Sequence, residues 1–201
     1  MKYGELNLGQ IEGLVNKLGG MDGVASLLAD EMVVTRKEVK VTPPEPEVVL
    51  DPIIRVDRSI RPSYPDWMEK VMHPELESVG PAEYDISAVE QWLHDGQQDG
   101  KYIEGNKIYN HLKKDDMLLL KTCLGLRDLE AIQKKGIAFF RKHFKGKAVF
   151  GWAGIVRGRR GLLDVPYLFE NGVEVVLPWY WTGYGWHDRH PALRLASSTK
   201  A

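Results

Sequence analysis

The stretch KAVFGWAGIVRGRRGLLDVPYLFENGVEVVLPWYW, residues 147–181, decides the fold because its apolar side chains recur at every second position. A period of two is typical of β-strands, whose successive side chains point to opposite faces of a sheet. We predict strands at residues 147–156, 161–169 and 173–181. The dipeptide Asn-Gly at 171–172 favours a tight type I′ hairpin between the second strand and the third.

The third predicted strand carries an apolar face that should meet the core. Five side chains alternate onto this face: Val173, Val175, Leu177, Trp179 and Trp181. We therefore expect Trp179 and Trp181 to be core residues. Pro166 and Pro178 have no N–H to donate to a strand ladder, so they indicate edge strands or bulges.

Residues 84–144 show helical spacing instead of alternation. A Ser-x-x-Glu capping box at 87–90 predicts the start of one helix, and a second helix is predicted around Ile108. Two more helices are predicted at 125–136 and 137–144. The expected class is therefore α+β, with a helical middle followed by a small antiparallel sheet.

The first thirty residues predict a short helical hairpin. Asn7 and Gln10 resemble a capping pair, and the apolar residues that follow recur with a 3-4 spacing. Gly19 and Gly20 end the first helix, since glycine accepts the left-handed conformation. Two such short helices cannot bury their apolar stripe alone, so residues 7–29 should dock on the body of the protein, on a protein partner or on a second copy of the chain.

A proline-rich segment follows the helical hairpin, and eight of the eleven prolines lie within residues 43–81. Proline fixes φ and disfavours helix in the preceding residue, so residues 33–83 are predicted as an extended linker with one short helix that Asp66 caps. The predicted organisation is a helical docking segment at 1–32, this linker, and an α+β domain at 84–201.

The composition is that of an ordinary globular protein, with 43% hydrophobic residues, 27% charged residues and a formal net charge of −1. The single cysteine, Cys123, excludes an intramolecular disulfide and a cysteine-based zinc site. No stretch approaches 18 apolar residues, and the N-terminus lacks the apolar core of a signal peptide. We therefore expect a cytoplasmic protein without a membrane partner.

Charge is unevenly distributed along the chain. Residues 134–163 contain nine basic side chains and no acidic one, and the first six of them, within residues 134–147, are interleaved with three phenylalanines. These nine are candidates for contacts with nucleic-acid phosphates: Lys134, Lys135, Arg141, Lys142, Lys145, Lys147, Arg157, Arg159 and Arg160. The GRRG sequence at 158–161 should form the turn between the first two strands. Residues 71–100 contain seven acidic side chains and no lysine or arginine, so pairing between the two segments is the alternative.

The stretch LPWYWTGYGWHDRHP at 177–191 concentrates aromatic and titratable side chains. Tyr184 and Trp186 lie between glycines and the charged HDRH sequence, so they are either lids over the core or the aromatic residues freest to face a ligand. The same stretch holds the candidate ligands for a divalent metal ion, which are His187, Asp188 and His190.

Motifs of several large enzyme classes are missing from the sequence. It contains no phosphate-binding loop, no dinucleotide-binding glycine motif, no HExxH zinc motif and no GxSxG elbow. The sequence therefore favours a non-enzymatic binding protein without a cofactor, which is either a protein-interaction adaptor or a module that contacts nucleic acid through its basic helix and hairpin. The alternative is a small metal-dependent hydrolase or nuclease that uses the HDRH loop.

Two stretches resemble short hypothetical proteins of uncultivated candidate-phylum bacteria. The first is LNLGQIEGLVNKLGGMDGVASLLADE at 6–31; the second begins with CLGLRDLEAIQKKG at Cys123 and includes WHDRHPALR at 186–194. Proteins of that group share a similar N-terminal segment but differ in the rest of the chain, which implies that residues 6–31 are a detachable docking segment. The resemblance implies membership of this family and brings no catalytic residue, cofactor or fold with it.

Overall fold

A computed structural model describes residues 8–29, 31 and 50–196. The chain divides into two compact units, Met1–Val48 and Val49–Ala201. Helices and strands are both abundant among the described residues, so the predicted α+β class is confirmed. The arrangement of the elements differs from the prediction in several places.

The first unit contains the predicted helical hairpin, in which α1 spans Leu8–Lys17 and α2 spans Met21–Leu28. Gly19 and Gly20 lie between the two helices and have φ angles of +90° and +85°, which glycine adopts without steric cost. Apolar side chains on both helices are exposed: Ile11, Leu14, Met21 and Leu28. Asn7, the predicted cap of α1, lies outside the described residues.

The second unit contains twelve strands and four α-helices among its described residues. The strands are β1 (Ile53–Arg55), β2 (Met68–Val71), β3 (Glu83–Asp85), β4 (Val89–Trp92), β5 (Ile103–Glu104), β6 (Val149–Phe150), β7 (Val156–Gly158), β8 (Leu163–Asn171), β9 (Glu174–Val176), β10 (Trp179–Trp181), β11 (Gly185–Trp186) and β12 (Ala192–Leu195). The helices are α3 (Gly105–Leu112), α4 (Lys114–Met117), α5 (Leu126–Gln133) and α6 (Gly136–Phe144). Short 3-10 helices cover Pro74–Leu76, Ile86–Ala88, Asp95–Gln97, Leu120–Thr122 and Trp152–Gly154.

Strand β8 is the centre of an eight-stranded sheet. One edge of β8 pairs with β7 and then β6, and its other edge pairs with β10 and then β9, all antiparallel. Beyond β6 the sheet continues to β12 in parallel and then to β4 in antiparallel orientation, while β2 pairs with the free edge of β7. The sheet is therefore mixed and larger than the small antiparallel sheet that the sequence predicts.

Two of the three predicted strands are interrupted. The first is divided into β6 and β7 by a 3-10 helix at Trp152–Gly154. This helix packs closely on the start of α5, since a Cβ on Gly154 would lie 2.9 Å from the Leu126 backbone nitrogen. The third is divided into β9 and β10 at Pro178, which has no N–H and whose carbonyl accepts a hydrogen bond from Tyr167 N. These interruptions let one long strand pair with two short strands on each edge.

The predicted turns on both sides of β8 are present. GRRG lies between β7 and β8, and a two-residue loop of Gly172 and Val173 joins β8 to β9. Gly172 has a φ of +62°, but Val173 is not among the residues with positive φ. The turn is therefore not the predicted type I′, which requires positive φ at both positions and would strain a β-branched residue.

The apolar face predicted for the third strand is only partly buried. Val175 lies in the core, whereas Val173 is 79% exposed in the turn, and Leu177, Trp179 and Trp181 are half-buried. The prediction that the two tryptophans are core residues is wrong: in the described part of the chain β10 pairs with β8, and both rings are only half-buried.

Three of the four helices predicted in the middle of the chain are confirmed as α3, α5 and α6. The helix predicted from the capping box at 87–90 is wrong. The side chain of Asp85 accepts a hydrogen bond from Ser87 N, a 3-10 turn follows, and the chain then enters β4. Strand β12 offers a free edge to β4, and this long-range pairing outweighs the local helical spacing.

The described part of the predicted linker, residues 50–83, belongs to the second unit. Its β1 pairs with β3 and its β2 pairs with β7, so the short helix predicted after Asp66 is a strand instead. The remaining part of the predicted linker up to residue 49 lies outside the described residues. The α+β domain therefore begins well before residue 84.

Two clusters of buried side chains form the core of the second unit. One packs α5 and α6 against β1, β6 and β8, and the other surrounds Trp152 and Trp186. Val149 belongs to the first cluster and its neighbour Phe150 to the second, because successive residues of a strand point to opposite faces. The central sheet therefore separates two cores.

A buried ion pair connects the proline-rich segment to α5. Both terminal guanidinium nitrogens of Arg58 donate to the Asp128 carboxylate, at 3.0 and 2.6 Å. The Tyr84 hydroxyl and the Gly125 N–H also donate to it, at 3.2 and 3.0 Å. Burial, together with the charge of Asp128, raises the pKa of Tyr84, so its hydroxyl remains a donor. Asp128 is 2% exposed, so these donors take the place of water as the hydrogen-bond partners of its carboxylate.

We expect Arg58→Met to lower the free energy of unfolding by ~3–5 kcal/mol, because it leaves the buried Asp128 carboxylate without its counter-ion. Urea unfolding followed by tryptophan fluorescence measures this loss. The matched control is Arg55→Met, which removes a mostly exposed arginine that pairs with Asp51 and Glu83 and should therefore destabilise the protein much less. Equal losses in the two variants would contradict the importance of the buried pair.

Candidate functional site

The nine basic side chains predicted to contact nucleic acid do not form one surface. Six lie on or next to α5 and α6, and three lie at the turn between β7 and β8. Arg141 contacts Glu170 near the C-terminal end of β8, whereas the turn precedes Leu163 at its N-terminal end. Seven residues of extended strand place these two positions about 23 Å apart.

Some of these cations are already paired within the chain. The pairs are Lys135–Asp51 at 2.9 Å, Arg141–Glu170 at 2.7 Å and Arg157–Glu69 at 3.5 Å. None of the three carboxylates lies in residues 71–100, so the predicted pairing with that acidic segment is wrong for these cations. The others form no ion pair with any described residue: Lys134, Lys142, Lys145, Lys147, Arg159 and Arg160.

The loop that carries the HDRH sequence is held beside β6. Ala148 N donates to the carbonyl of Arg189 at 2.9 Å. The side-chain amide of Gln97, which is 1% exposed, donates to the carbonyls of His187 and His190 at 3.0 and 2.9 Å. A buried amide far away in the sequence therefore fixes the position of both histidines.

The two imidazoles of this loop lie against each other, with ring centroids 3.9 Å apart and an interplanar angle of 39°. Burial, and secondly the neighbouring His187, lower the pKa of His190 to about 4, against a smaller opposite effect of Asp188. His190 is therefore neutral at neutral pH. Within residues 8–29, 31 and 50–196, no three His, Cys, Asp or Glu side chains are grouped to hold a metal ion. His187, Asp188 and His190, the predicted metal ligands, are not part of such a group.

The two predicted ligand-edge residues have opposite environments. Tyr184 is 53% exposed, as a residue that faces a ligand requires, but Trp186 is fully buried. The Trp186 ring packs 4.2 Å from Phe150 and 4.8 Å from Trp152, measured between ring centroids. The prediction that Trp186 faces a ligand is wrong. Strand β11 pairs with β5, and the Trp186 indole packs so closely on Gly105, at the start of α3, that a Cβ on residue 105 would clash with the ring.

An aromatic cleft of about 530 Å³ opens beside the HDRH loop. Its aromatic wall consists of Phe150, Tyr167, Phe169, Tyr180, His187 and His190. Tyr167 stacks on Phe150 at 4.9 Å and on Phe169 at 5.4 Å, with interplanar angles of 16° and 18°. Sequence reasoning missed Tyr167 and Phe169 as site residues, although their alternation along β8 indicates a shared face.

Two cations stand at this cleft. Lys147 and Arg189 line it, and neither forms an ion pair within the part of the chain that the structure describes. Glu170 also lines it, but Arg141 balances its charge. The cleft therefore combines stacked rings with a net positive rim. Arg189 was not among the predicted site residues because it lies outside the basic block.

No protein-family model, curated protein or solved structure matches this chain. Among the described residues, no helix has the length and apolar character needed to cross a membrane. The chemistry of the cleft is therefore the basis for assigning a function.

We expect the free energy of unfolding to fall as the pH decreases from about 6.5 to about 4. Unfolding returns the pKa of His190 from about 4 to its ordinary 6.5, so the unfolded state binds more protons in this window and is favoured there. Because His190 is partly exposed, its contribution should be of order 1 kcal/mol, less than full burial would give.

Urea titrations at the two ends of this window test the expectation, with His190→Gln as the comparison. The variant should lose less stability on acidification than the unmodified protein, because glutamine does not titrate. An identical loss in both proteins would show that His190 contributes nothing to the pH dependence.

Proposed function

We propose that this protein is a non-enzymatic binding protein that holds single-stranded nucleic acid in its aromatic cleft. One observation carries the proposal: stacked aromatic rings and two cations without an ion pair in the described chain lie at the same cleft. Proteins bind single strands in this way, with bases stacked on aromatic side chains and the backbone following a positive surface.

The rings supply the contacts for bases. Tyr167, Phe169 and Tyr180 are half-buried, so each is fixed by packing and still has exposed surface. Burial raises the pKa of Tyr167 and of Tyr180, which keeps both hydroxyls protonated and avoids a negative charge in the cleft. Each stacked base contributes ~1–3 kcal/mol in single-strand complexes. Bases paired in a duplex cannot present their faces to such rings, which is why we propose a single strand.

The cations supply the contacts for phosphates. Lys147 and Arg189 line the cleft, and Lys142 and Lys145 are exposed at the nearby C-terminal end of α6. The segment Gly146–Lys147 connects this end of the helix directly to the wall of the cleft. A strand that leaves the cleft in this direction meets several cations in succession.

The metal-dependent hydrolase alternative has less support. The His187 and His190 rings contact each other at a tilt of 39°, and Asp188 is exposed beside them. A catalytic zinc site uses three protein ligands directed at one point, and the described residues form no such group. The two imidazoles serve the proposed function as part of the aromatic wall.

The test is fluorescence anisotropy of labelled oligo-dT and oligo-U of about 12 nucleotides, within the range of ~4–16 that single-strand sites cover. Titrations are made at about 50 and about 200 mM salt. We expect Lys147→Glu/Arg189→Glu to weaken binding about tenfold or more, and to reduce the slope of log K against log salt by ~1.4, or ~0.7 for each lost phosphate contact.

The control is Arg159→Glu/Arg160→Glu, which makes the same change of charge at the turn between β7 and β8. This variant should bind nucleic acid as the unmodified protein does. Loss of binding in the control alone would place the nucleic-acid surface at the hairpin turn. Absence of binding by the unmodified protein at the lower salt would refute the proposal.

A further inference from the structure

A second aromatic surface lies on the other face of the sheet. Successive side chains of β10 point to opposite faces, and Tyr180 lines the cleft, so Trp179 and Trp181 point away from it. Pro166 and Asp164 of β8 are their cross-strand partners and share that face. A ligand bound there would not overlap one in the cleft.

Three rings form this surface. The Trp179 ring centroid is 6.2 Å from that of Tyr64 and 5.6 Å from that of Trp67, whose plane is nearly perpendicular to it at 88°. Trp67 is 39% exposed, and the other two rings are half-buried. Grooves open on both sides: one of about 360 Å³ beside Tyr64, Pro65 and Trp179, and one of about 380 Å³ beside Trp67.

Contacts within the protein preorganise this surface in the absence of a ligand. The Tyr64 hydroxyl donates to Glu77 at 2.8 Å, and Arg159 N donates to the Trp67 carbonyl at 3.3 Å. The Trp67 ring lies so close to the β7 backbone that a Cβ on Gly158 would be 3.3 Å from it. Preorganised aromatic side chains bind with little loss of conformational entropy.

The groove beside Trp67 has a basic border. Arg159 and Arg160 line it and are exposed. The Arg159 side chain donates to the Asp66 carbonyl, and neither arginine forms an ion pair with a described residue. Asp164 is the acidic residue that lines this groove, and its burial raises its pKa. The charge of the groove therefore favours an anionic group on the ligand.

We infer that this surface binds a partner segment rich in both proline and glutamate. Proline-rich segments adopt the polyproline II conformation, which repeats every three residues, and they dock into aromatic-lined grooves. Glutamates between the prolines complement Arg159 and Arg160 through charge-assisted hydrogen bonds. A segment with this composition occurs in the sequence of the chain itself, as TPPEPE at 42–47.

The probe for the test is a fluorescently labelled peptide, VTPPEPEV, which copies residues 41–48. It is titrated into the full chain and, in parallel, into a full chain with Pro43→Ser, Pro44→Ser and Pro46→Ser, which no longer contains the peptide's own sequence. Saturable binding to the triple variant is the expected result. Absence of binding to both proteins would overturn the inference.

Variants on the two faces locate the peptide. Trp67→Leu should weaken its binding about tenfold or more, because removal of an aromatic anchor usually removes much of an interface's affinity. Arg159→Glu/Arg160→Glu should do the same, whereas Lys147→Glu/Arg189→Glu should leave peptide binding unchanged. Equal effects of the two double variants would overturn the assignment to this surface.

Two altered peptides separate the contributions of proline and charge. VTAAEAEV keeps the glutamates without the prolines, and VTPPKPKV keeps the prolines with reversed charge. Both should bind at least several-fold more weakly than VTPPEPEV. If either binds as well as the original, the surface does not recognise an acidic proline-rich segment.

Discussion

The buried pair between Arg58 and Asp128 is the constraint on which the rest of the second unit depends. Proline-rich chain forms few regular backbone hydrogen bonds, so residues 50–83 need a specific anchor to lie on the domain. Arg58 reaches α5 from this segment, and Asp128 accepts from it and from two further donors. The same segment supplies β2, which pairs with the free edge of β7.

Strand β8 then determines how function is distributed over the molecule. Its length lets it pair with two short strands on each edge, and its alternation places Tyr167 on the face of the cleft and Asp164 on the opposite face. The basic residues of 134–163 are close together in the sequence but lie near opposite ends of this strand. The result is two aromatic surfaces, each with its own pair of cations, which we propose bind different ligands.

Sequence reasoning found the parts of the site that depend on local pattern and missed those that depend on burial. It singled out Lys147 and the HDRH loop, which line the cleft, although it offered the loop as a metal site; Tyr184 is exposed but does not line the cleft. It placed Trp186 at a surface, although that ring is fully buried, and it did not connect Gln97 with the histidines. Nothing in the spacing of residues ninety positions apart indicates which of them share a hydrogen bond.

By itself, the sequence determined the α+β class, the helical hairpin at the N-terminus, α3, α5 and α6, and the strand β8 with a turn on each side. These features follow from apolar periodicity, glycine and proline positions within a few neighbouring residues. Only the tertiary structure decided that residues 89–92 form a strand, that residues 50–83 belong to the domain, and which cations remain unpaired. The reason is physical: strand edges, burial and ion pairs are satisfied by partners far apart along the chain, and local pattern carries no information about them.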